Sequence, residues 1–389
     1  MKVLAISYGR HLFDRKNIER VRMEACAQQT DSLHIIVFTY RSDNFQTDFS
    51  GKKLAIHPTN SRSKFFMLWD VYQIGSKILK DRGQWVITSQ DPFEPGLVGW
   101  LLSKKYNHPF NIQEHGDVFS SSHWRRESLL NNVRFYVGRW LLRQADTVRV
   151  VSKRMFRTME ALGIASERIK QLPVRTDIVD LVTKSATANF VNYDVNYDSE
   201  VVIISMARFV PQKNLSLLIS AFARTHRRYP KSRLLLVGEG VCENGMQTQV
   251  RNLDLSSAVT FLPWTNDPKT LLNEADVYAL SSNYEGWGRV LVEAMQAGLP
   301  IITTDVGCAN EVVQNDKHGF VVPVGDLEKY DQRLFDLVSD VSLRKKFGSQ
   351  GQNDASQQSE TLSEYAKRWS LALKSTLETN MSGGETPSE

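Results

Sequence analysis

Cysteine is scarce in this chain of 389 residues: Cys26, Cys242 and Cys308 stand far apart and none belongs to a Cys-x-x-Cys pair. Such an odd, scattered set excludes a disulfide framework and a zinc-ribbon site, and it fits a reducing cytoplasm. Long apolar runs are also missing. No stretch approaches the ~18 residues that a membrane-spanning helix needs. The opening Met1-Lys-Val-Leu-Ala-Ile-Ser7 has too short an apolar core for a signal peptide and reads as a first β-strand. A charge excess is lacking too: 48 Lys and Arg against 43 Asp and Glu leave a net +5, too slight to imply a nucleic-acid partner. There is no Gly-x-x-x-x-Gly-Lys-Ser/Thr loop, which removes the common ATPase reading, and no Asp-x-Asp pair to clamp a metal. Gly238-Glu-Gly240 runs into Val-Cys-Glu243, so a dinucleotide fingerprint lacks its third glycine.

What is present is ordinary globular composition, 41 % hydrophobic and 23 % charged, in a length that predicts two or three domains. A short β-branched run, a turn and an amphipathic helix recur along the chain, the rhythm of parallel strands with crossover helices. Strands are expected at 3–7, 34–40, 54–58, 85–90, 110–114, 147–152 and 169–173, with helices at 17–29, 65–80 and 128–143. Residues 178–200 lose the rhythm and read as a linker between a Rossmann-like domain at 1–177 and a second one at 201–360. The second domain repeats the pattern at 201–207, 233–238, 259–262, 277–281, 300–304 and 320–323, each strand followed by a helical segment. A lone helix is expected at 361–378, and 379–389, rich in Ser, Gly and Glu, reads as a disordered tail.

Ligands of open parallel sheets bind beyond the carboxyl ends of strands. In the first half those ends carry Gly9, then Asp91 and Glu94, then His115-Gly116-Asp117. In the second half they carry Arg208 with Lys213 five residues on, and Glu285-Gly286-Trp287-Gly288. Two cations at one strand end suit a phosphorylated ligand, although surface Arg and Lys are most often merely solvated. Glycines opening a helix let backbone amides approach an anion. Glu293, one turn into that helix, can accept bonds from hydroxyls beside the phosphates. His115 can donate to a leaving oxyanion or bond a substrate hydroxyl. Charge on a leaving diphosphate would fall to Arg208, Lys213 and the Gly286–Gly288 turn rather than to a metal.

These residues resemble the retaining glycosyltransferases of family 4, which have the GT-B fold. The spacing Glu285-x7-Glu293, within Tyr-Glu-Gly-Trp-Gly-Arg-Val-Leu-Val-Glu-Ala-Met-Gln-Ala-Gly-Leu-Pro, resembles the signature of that family almost letter for letter. Ala207-Arg208-Phe-Val-Pro-Gln-Lys213 resembles its phosphate-binding pair, and the likeness spans roughly 201–325. In the first domain it is looser and rests on His115-Gly116, Ala145-Asp146 and Val151-Ser152. The resemblance implies two Rossmann-like domains facing across a cleft and transfer of a sugar from a nucleotide-diphosphate donor to an acceptor hydroxyl. It gives Arg208 and Lys213 the diphosphate, Glu293 the ribose hydroxyls, and Glu285 with Gly286, Trp287 and Gly288 the donor sugar and distal phosphate. Trp264 meets the base, Gly9 the donor phosphates, and His115 lies near the transferred sugar. No metal or other cofactor is implied beyond the donor itself.

Three departures stand out. A single Gly9 replaces adjacent glycines, Pro173-Val-Arg-Thr-Asp177 replaces a glycine-bearing turn, and Arg289 stands where an aliphatic residue is usual. On the acceptor side Asp91, Glu94 and Asp117 are the carboxylates to consider, and a glycan or lipid-linked acceptor fits. The stretch 123–157, with Trp124, Phe135, Tyr136 and Trp140 among arginines, and 62–69 have the composition of a surface that lies on an anionic membrane. The same composition also describes an apolar face packed on the sheet with solvated arginines, and both readings stand here. So do two further functional alternatives: a non-catalytic nucleotide-sugar-binding scaffold, and an epimerase or phosphorylase on the same fold. The expected location is the cytoplasm, on the inner face of the cell membrane where a lipid-linked acceptor would sit.

Overall fold

The strand–helix rhythm builds two separate sheets in the computed structural model, which describes residues 1–176, 200–265, 268–357 and 360–382. The linker expected at 178–200 lies outside the described residues except for Glu200. Residues 1–175 and 360–389 make one compact unit, and 176–359 make the other.

The first sheet holds eight strands: β1 (Lys2–Ser7), β2 (Ser32–Val37), β3 (Asp48–Ser50), β4 (Leu54–Pro58), β5 (Trp85–Ser89), β6 (Phe110–Glu114), β7 (Thr147–Val150) and β8 (Ile169–Gln171). Their order is β3-β4-β2-β1-β5-β6-β7-β8, parallel throughout except for the antiparallel edge pair β3–β4. That edge strand, three residues long, was not expected from the sequence. The order reverses between β1 and β5, which places a topological switch point where Tyr8-Gly9 and Asp91 emerge. The helix Glu94–Tyr106 was also unforeseen. Its Gly96 and Gly99 weaken helix propensity, but a Cβ at Gly99 would lie 2.6 Å from the Phe110 ring. The glycine therefore lets the helix lie close on the sheet.

The helix Leu362–Ser382 belongs to this first unit. Its Tyr365, Ala366, Trp369 and Leu373 are buried in the same core as Val3, Leu33, Ile35 and Leu54. Residues 379–382, expected in the tail, instead continue the helix, which runs to Ser382. Residues 383–389 lie outside the described residues.

The second sheet holds β9 (Val201–Met206), β10 (Ser232–Val237), β11 (Val259–Leu262), β12 (Val277–Leu280), β13 (Ile301–Thr304) and β14 (Gly319–Val322), in the order β11-β10-β9-β12-β13-β14 and all parallel. Central strands such as β9 are buried along their whole length, as helices on both faces require. One expected helix is missing: β13 passes to β14 through turns and isolated bridges. The switch point of this sheet lies between β9 and β12, so Arg208, Lys213 and Glu285 leave the sheet at its crevice.

Candidate active site

Backbone packing shapes the loop after β9. The turn Gly238-Glu239-Gly240 folds onto it, with Phe209 N–H donating to the Glu239 carbonyl (2.7 Å) and Cys242 N–H to the Phe209 carbonyl (2.9 Å). Gly238 has φ +144°, and a Cβ there would sit 1.9 Å from the Ala207 carbonyl oxygen. These glycines support the Arg208 loop from behind, and the Arg208 side chain is exposed at its tip.

The loops after β9 and β12 are zipped together. Asn283 N–H donates to the Gln212 carbonyl (2.8 Å) and Gln212 Nε2 to the Tyr284 carbonyl (3.0 Å). Ser281 Oγ donates to the carbonyls of Lys213 (3.1 Å) and Asn214 (3.0 Å). The result sets Lys213 Nζ on Glu285 Oε1, the oxygen that also accepts from Ser282 Oγ at 2.7 Å. Glu285 is only 7 % exposed. Ser281, Ser282 and Asn283 carry no motif, and Gln212, inside the Ala207–Lys213 motif, was given no role from sequence.

Beyond Glu285 the chain passes through buried Gly286 and Trp287 to Gly288, which takes the left-handed conformation (φ +81°) that caps the helix Arg289–Gln296. The Trp287 carbonyl accepts from Cys308 N–H at 2.8 Å, and the indole Nε1 has no partner among the described residues. Glu293 lies one turn into the helix, 3.9 Å from Arg289. Burial pushes its carboxyl up from the ordinary value and the Arg289 cation partly opposes this. Arg289, the departure noted in the motif, thus acts on Glu293 from the preceding turn. Trp264 stands exposed just past β11. A helix N-terminus led by glycines, with two cations from the neighbouring loop, is equipped to hold an anion of the diphosphate kind.

At the switch point of the first sheet the Gly9 amide is already engaged, donating to Ser7 Oγ at 2.9 Å, and Ser7 Oγ donates to Gln90 Oε1 at 2.5 Å. Asp91 Oδ1 accepts from Phe93 N–H (2.8 Å), and burial pushes its carboxyl up to about 7. Glu94 is paired with Arg134. Burial first, then the charges of Glu94 and Asp91, hold the Tyr8 phenol well above its usual value. Asp117 takes a left-handed conformation (φ +54°) and is pushed up to about 6 by burial; its Oδ1 has no partner among the described residues. Glu114, the last residue of β6, was passed over by sequence reading. It is buried, accepts from Gly116 N–H at 2.8 Å, and is pushed up to about 8 by burial.

His115 is not part of that carboxylate group. Side chains alternate along a strand, so Asn111, Gln113 and His115 share the opposite face. There His115 Nε2 lies 3.1 Å from Gln113 Oε1. Burial, with the Arg149 cation second, pushes the ring down to about 3.

The surface expected to carry interleaved aromatics is partly reassigned. Phe135 is core, 5.5 Å from Phe119, and Trp124 stacks on Phe93 at 5.3 Å. Leu129, Val133, Tyr136 and Trp140 form an exposed stripe at helical spacing along the helix Leu129–Gln144, whose opposite side buries Phe135, Leu141 and Leu142. One face of this helix is thus packed into the core, and the other leaves an apolar stripe exposed. Among the described residues no helix is long and apolar enough to cross a membrane.

Residues 18–175 match the family described as glycosyl transferase 4-like domain, and residues 192–354 match glycosyl transferases group 1. The lipopolysaccharide core biosynthesis glycosyltransferase LpsE of Rhizobium meliloti is 30 % identical over 193 residues, 49 % of this chain and 55 % of its own length. The N-acetyl-alpha-D-glucosaminyl L-malate synthase of Bacillus anthracis is 28 % identical over 231 residues, 59 % of each chain. The chain therefore spans less than two thirds of these curated relatives. Among solved structures, Anabaena Alr3699/HepE in complex with UDP and glucose matches with TM-score 0.71 and 20 % identity over 98 % of this chain and all of that one. Sucrose-phosphate synthase from Thermosynechococcus elongatus matches with TM-score 0.75 and 18 % identity over 99 % of this chain and all of that one. With a glycosyl transferase 4-like domain in its first half, a group 1 domain in its second and a Rossmann-like sheet in each, the chain belongs to the GT4-like glycosyltransferases of GT-B fold.

Proposed function

We propose that this protein moves a sugar from a nucleotide diphosphate to an acceptor hydroxyl, with retention of configuration and without a metal, in the assembly of a cell-surface polysaccharide or glycolipid. The observation that carries this reading is the Lys213–Glu285 contact at the switch point of the second sheet, beside the glycine-led helix that bears Glu293. LpsE is by its name a lipopolysaccharide core enzyme, and the Anabaena structure holds UDP and glucose, which makes UDP-glucose the first donor to try.

In this reading Arg208, Lys213 and the amides of Gly286–Gly288 hold the diphosphate, and Glu293 takes the ribose hydroxyls. Glu285 meets the donor sugar, Trp264 the base, and Gly9 lies by the phosphates. The acceptor oxygen forms its bond to the anomeric carbon on the face from which the diphosphate leaves. The carbon–oxygen bond to the leaving group breaks, its electron pair stays on the phosphate oxygen, and that oxygen takes the acceptor's proton. Cations aimed at this oxygen stabilise the developing charge, at about 3 kcal/mol for one well-placed donor. Asp91, Glu94 and Asp117 belong to the acceptor side.

The exposed stripe of the helix Leu129–Gln144, flanked by Arg126 and Arg143, supports a lipid-linked acceptor met at the cytoplasmic face of an anionic membrane. The test of the whole reading is a thermal-shift panel of UDP-, GDP-, ADP- and dTDP-sugars with EDTA, on wild type and Lys213→Ala. Ligand at ~100 times its dissociation constant adds about 2.7 kcal/mol. A shift with one nucleotide that is lost in the variant supports a metal-free donor site. A flat panel overturns the donor-site reading.

A further inference from the structure

A buried polar ladder crosses the first sheet. Thr88, Asn111 and Thr147 stand in register on β5, β6 and β7, and Gln113 stands opposite Arg149. Thr88 Oγ1 accepts from Gln113 Nε2 (2.9 Å) and donates to Asn111 Oδ1 (2.8 Å), and Asn111 Nδ2 donates to Thr147 Oγ1 (2.9 Å). The helix Leu362–Ser382 closes both ends. Its Thr376 hydroxyl bonds Thr147 Oγ1 at 2.7 Å, and its Tyr365 hydroxyl accepts from Arg149 Nη2 at 3.0 Å.

Arg149 is 5 % exposed and has no carboxylate partner among the described residues. Its other bonds go to the Leu172 carbonyl (3.2 Å) and to Gln113 Oε1 (2.7 Å). An arginine can only donate, so the Gln113 atom facing it must be the amide oxygen. The bond from Gln113 Nε2 to Thr88 requires the same orientation. His115 Nε2 faces that same oxygen at 3.1 Å, and two atoms that only accept cannot bond each other. The proton must therefore sit on Nε2.

We infer that Tyr365, through Arg149 and Gln113, holds His115 as the Nε2–H tautomer, leaving Nδ1 as a bare acceptor nitrogen. The charged groups acting on the ring are Arg149 on β7, and Arg22 and Glu19 on the helix Ile18–Gln28; the two cations oppose a second proton. Where His115 lies beside the transferred sugar, as the transferase reading has it, Nδ1 accepts a bond from a sugar hydroxyl and cannot give a proton to the leaving phosphate. Of the two roles open to His115 from sequence, this selects the second. Tyr365, Arg149 and Gln113 are positioning residues, and the helix carrying Tyr365 connects core packing to the selection of a donor hydroxyl.

The test is the long-range ¹H–¹⁵N spectrum of histidine-labelled protein, with the His115 signals assigned by His115→Asn. At pH 7 the expected pattern is a protonated Nε2 and an unprotonated Nδ1. In Tyr365→Phe the His115 nitrogen signals should move, and in Gln113→Glu the ring should gain a proton at higher pH than in wild type. A protonated Nδ1, a doubly protonated ring at pH 7, or His115 signals unmoved in Tyr365→Phe would each overturn the inference. The wild-type spectrum decides the tautomer even if a variant does not fold. It is read without donor or acceptor, so failure of the transferase reading leaves this result standing and shows itself instead in the nucleotide panel.

Discussion

Lys213 and Glu285 stand 72 positions apart in the chain, yet the ammonium rests on a carboxylate oxygen that a neighbouring serine also bonds. Each charge is mostly withdrawn from water, with 14 % and 9 % of the side chains exposed, so each depends on the other. Lys213→Ala should lower turnover by ~10²-fold or more and also cost about 2 kcal/mol of stability, because Glu285 is left with only a hydroxyl donor. Lys213→Arg should recover most of the stability. Steady-state kinetics and denaturant titration of the two variants check this; a Lys213→Ala protein with full turnover would remove Lys213 from the machinery.

Gly238→Ala should be among the more damaging single-methyl changes in the second unit. The added carbon would overlap the Ala207 carbonyl, and the backbone conformation is one that alanine rarely adopts. A loss of about 3 kcal/mol is expected, with weaker donor binding because the Arg208 loop moves. Denaturant unfolding and calorimetric titration with the nucleotide sugar measure the two effects.

The buried carboxyl of Glu114 predicts a particular pH slope. Its folded value near 8 lies above its ordinary 4.5, so the folded state holds a proton that the unfolded chain has released. That contribution is complete below pH ~4.5 and is lost as pH rises toward 8. Histidines held low act in the opposite sense: His57, pushed down to about 4 by burial, and His115 favour the folded state above their ordinary 6.5 and weaken it as pH falls below that. Glu114→Gln keeps an acceptor for the Gly116 amide and has no proton to lose. Melting temperatures between pH 6.5 and 8 should therefore fall less steeply in the variant than in wild type.

Leu129→Ser and Val133→Ser together should leave the melting temperature nearly unchanged, since these side chains are 88 % and 59 % exposed. They should instead reduce pelleting with vesicles containing anionic lipid. Equal pelleting of wild type and variant would separate this helix from any membrane role.

Much of this was legible in sequence, for identifiable reasons. Val201–Met206 and Val259–Leu262 are short apolar runs followed by Ala207-Arg208 and by Pro263, a local signal. The Glu285 to Glu293 spacing is local as well. What escaped reading depends on distant partners. The helix Glu94–Tyr106 carries Gly99 where Phe110 lies against it and Gly96 beside the Asp91 carbonyl, and the edge strand Asp48–Ser50 is too short and polar to show a period. Gln212 and Ser282 matter through loops brought together only by the strand order. Arg149 looks like one more surface cation until Tyr365, 216 positions later, is seen to cap it.

The placement of Tyr365, Trp369 and Leu373 in the core of the first sheet has a consequence for synthesis. The residues that complete that core emerge from the ribosome only after the whole second sheet has been made. The second unit is continuous in sequence and can close as soon as it appears, whereas the first must wait with an apolar seat open. The unit that begins first in synthesis is thus the one that can be completed last.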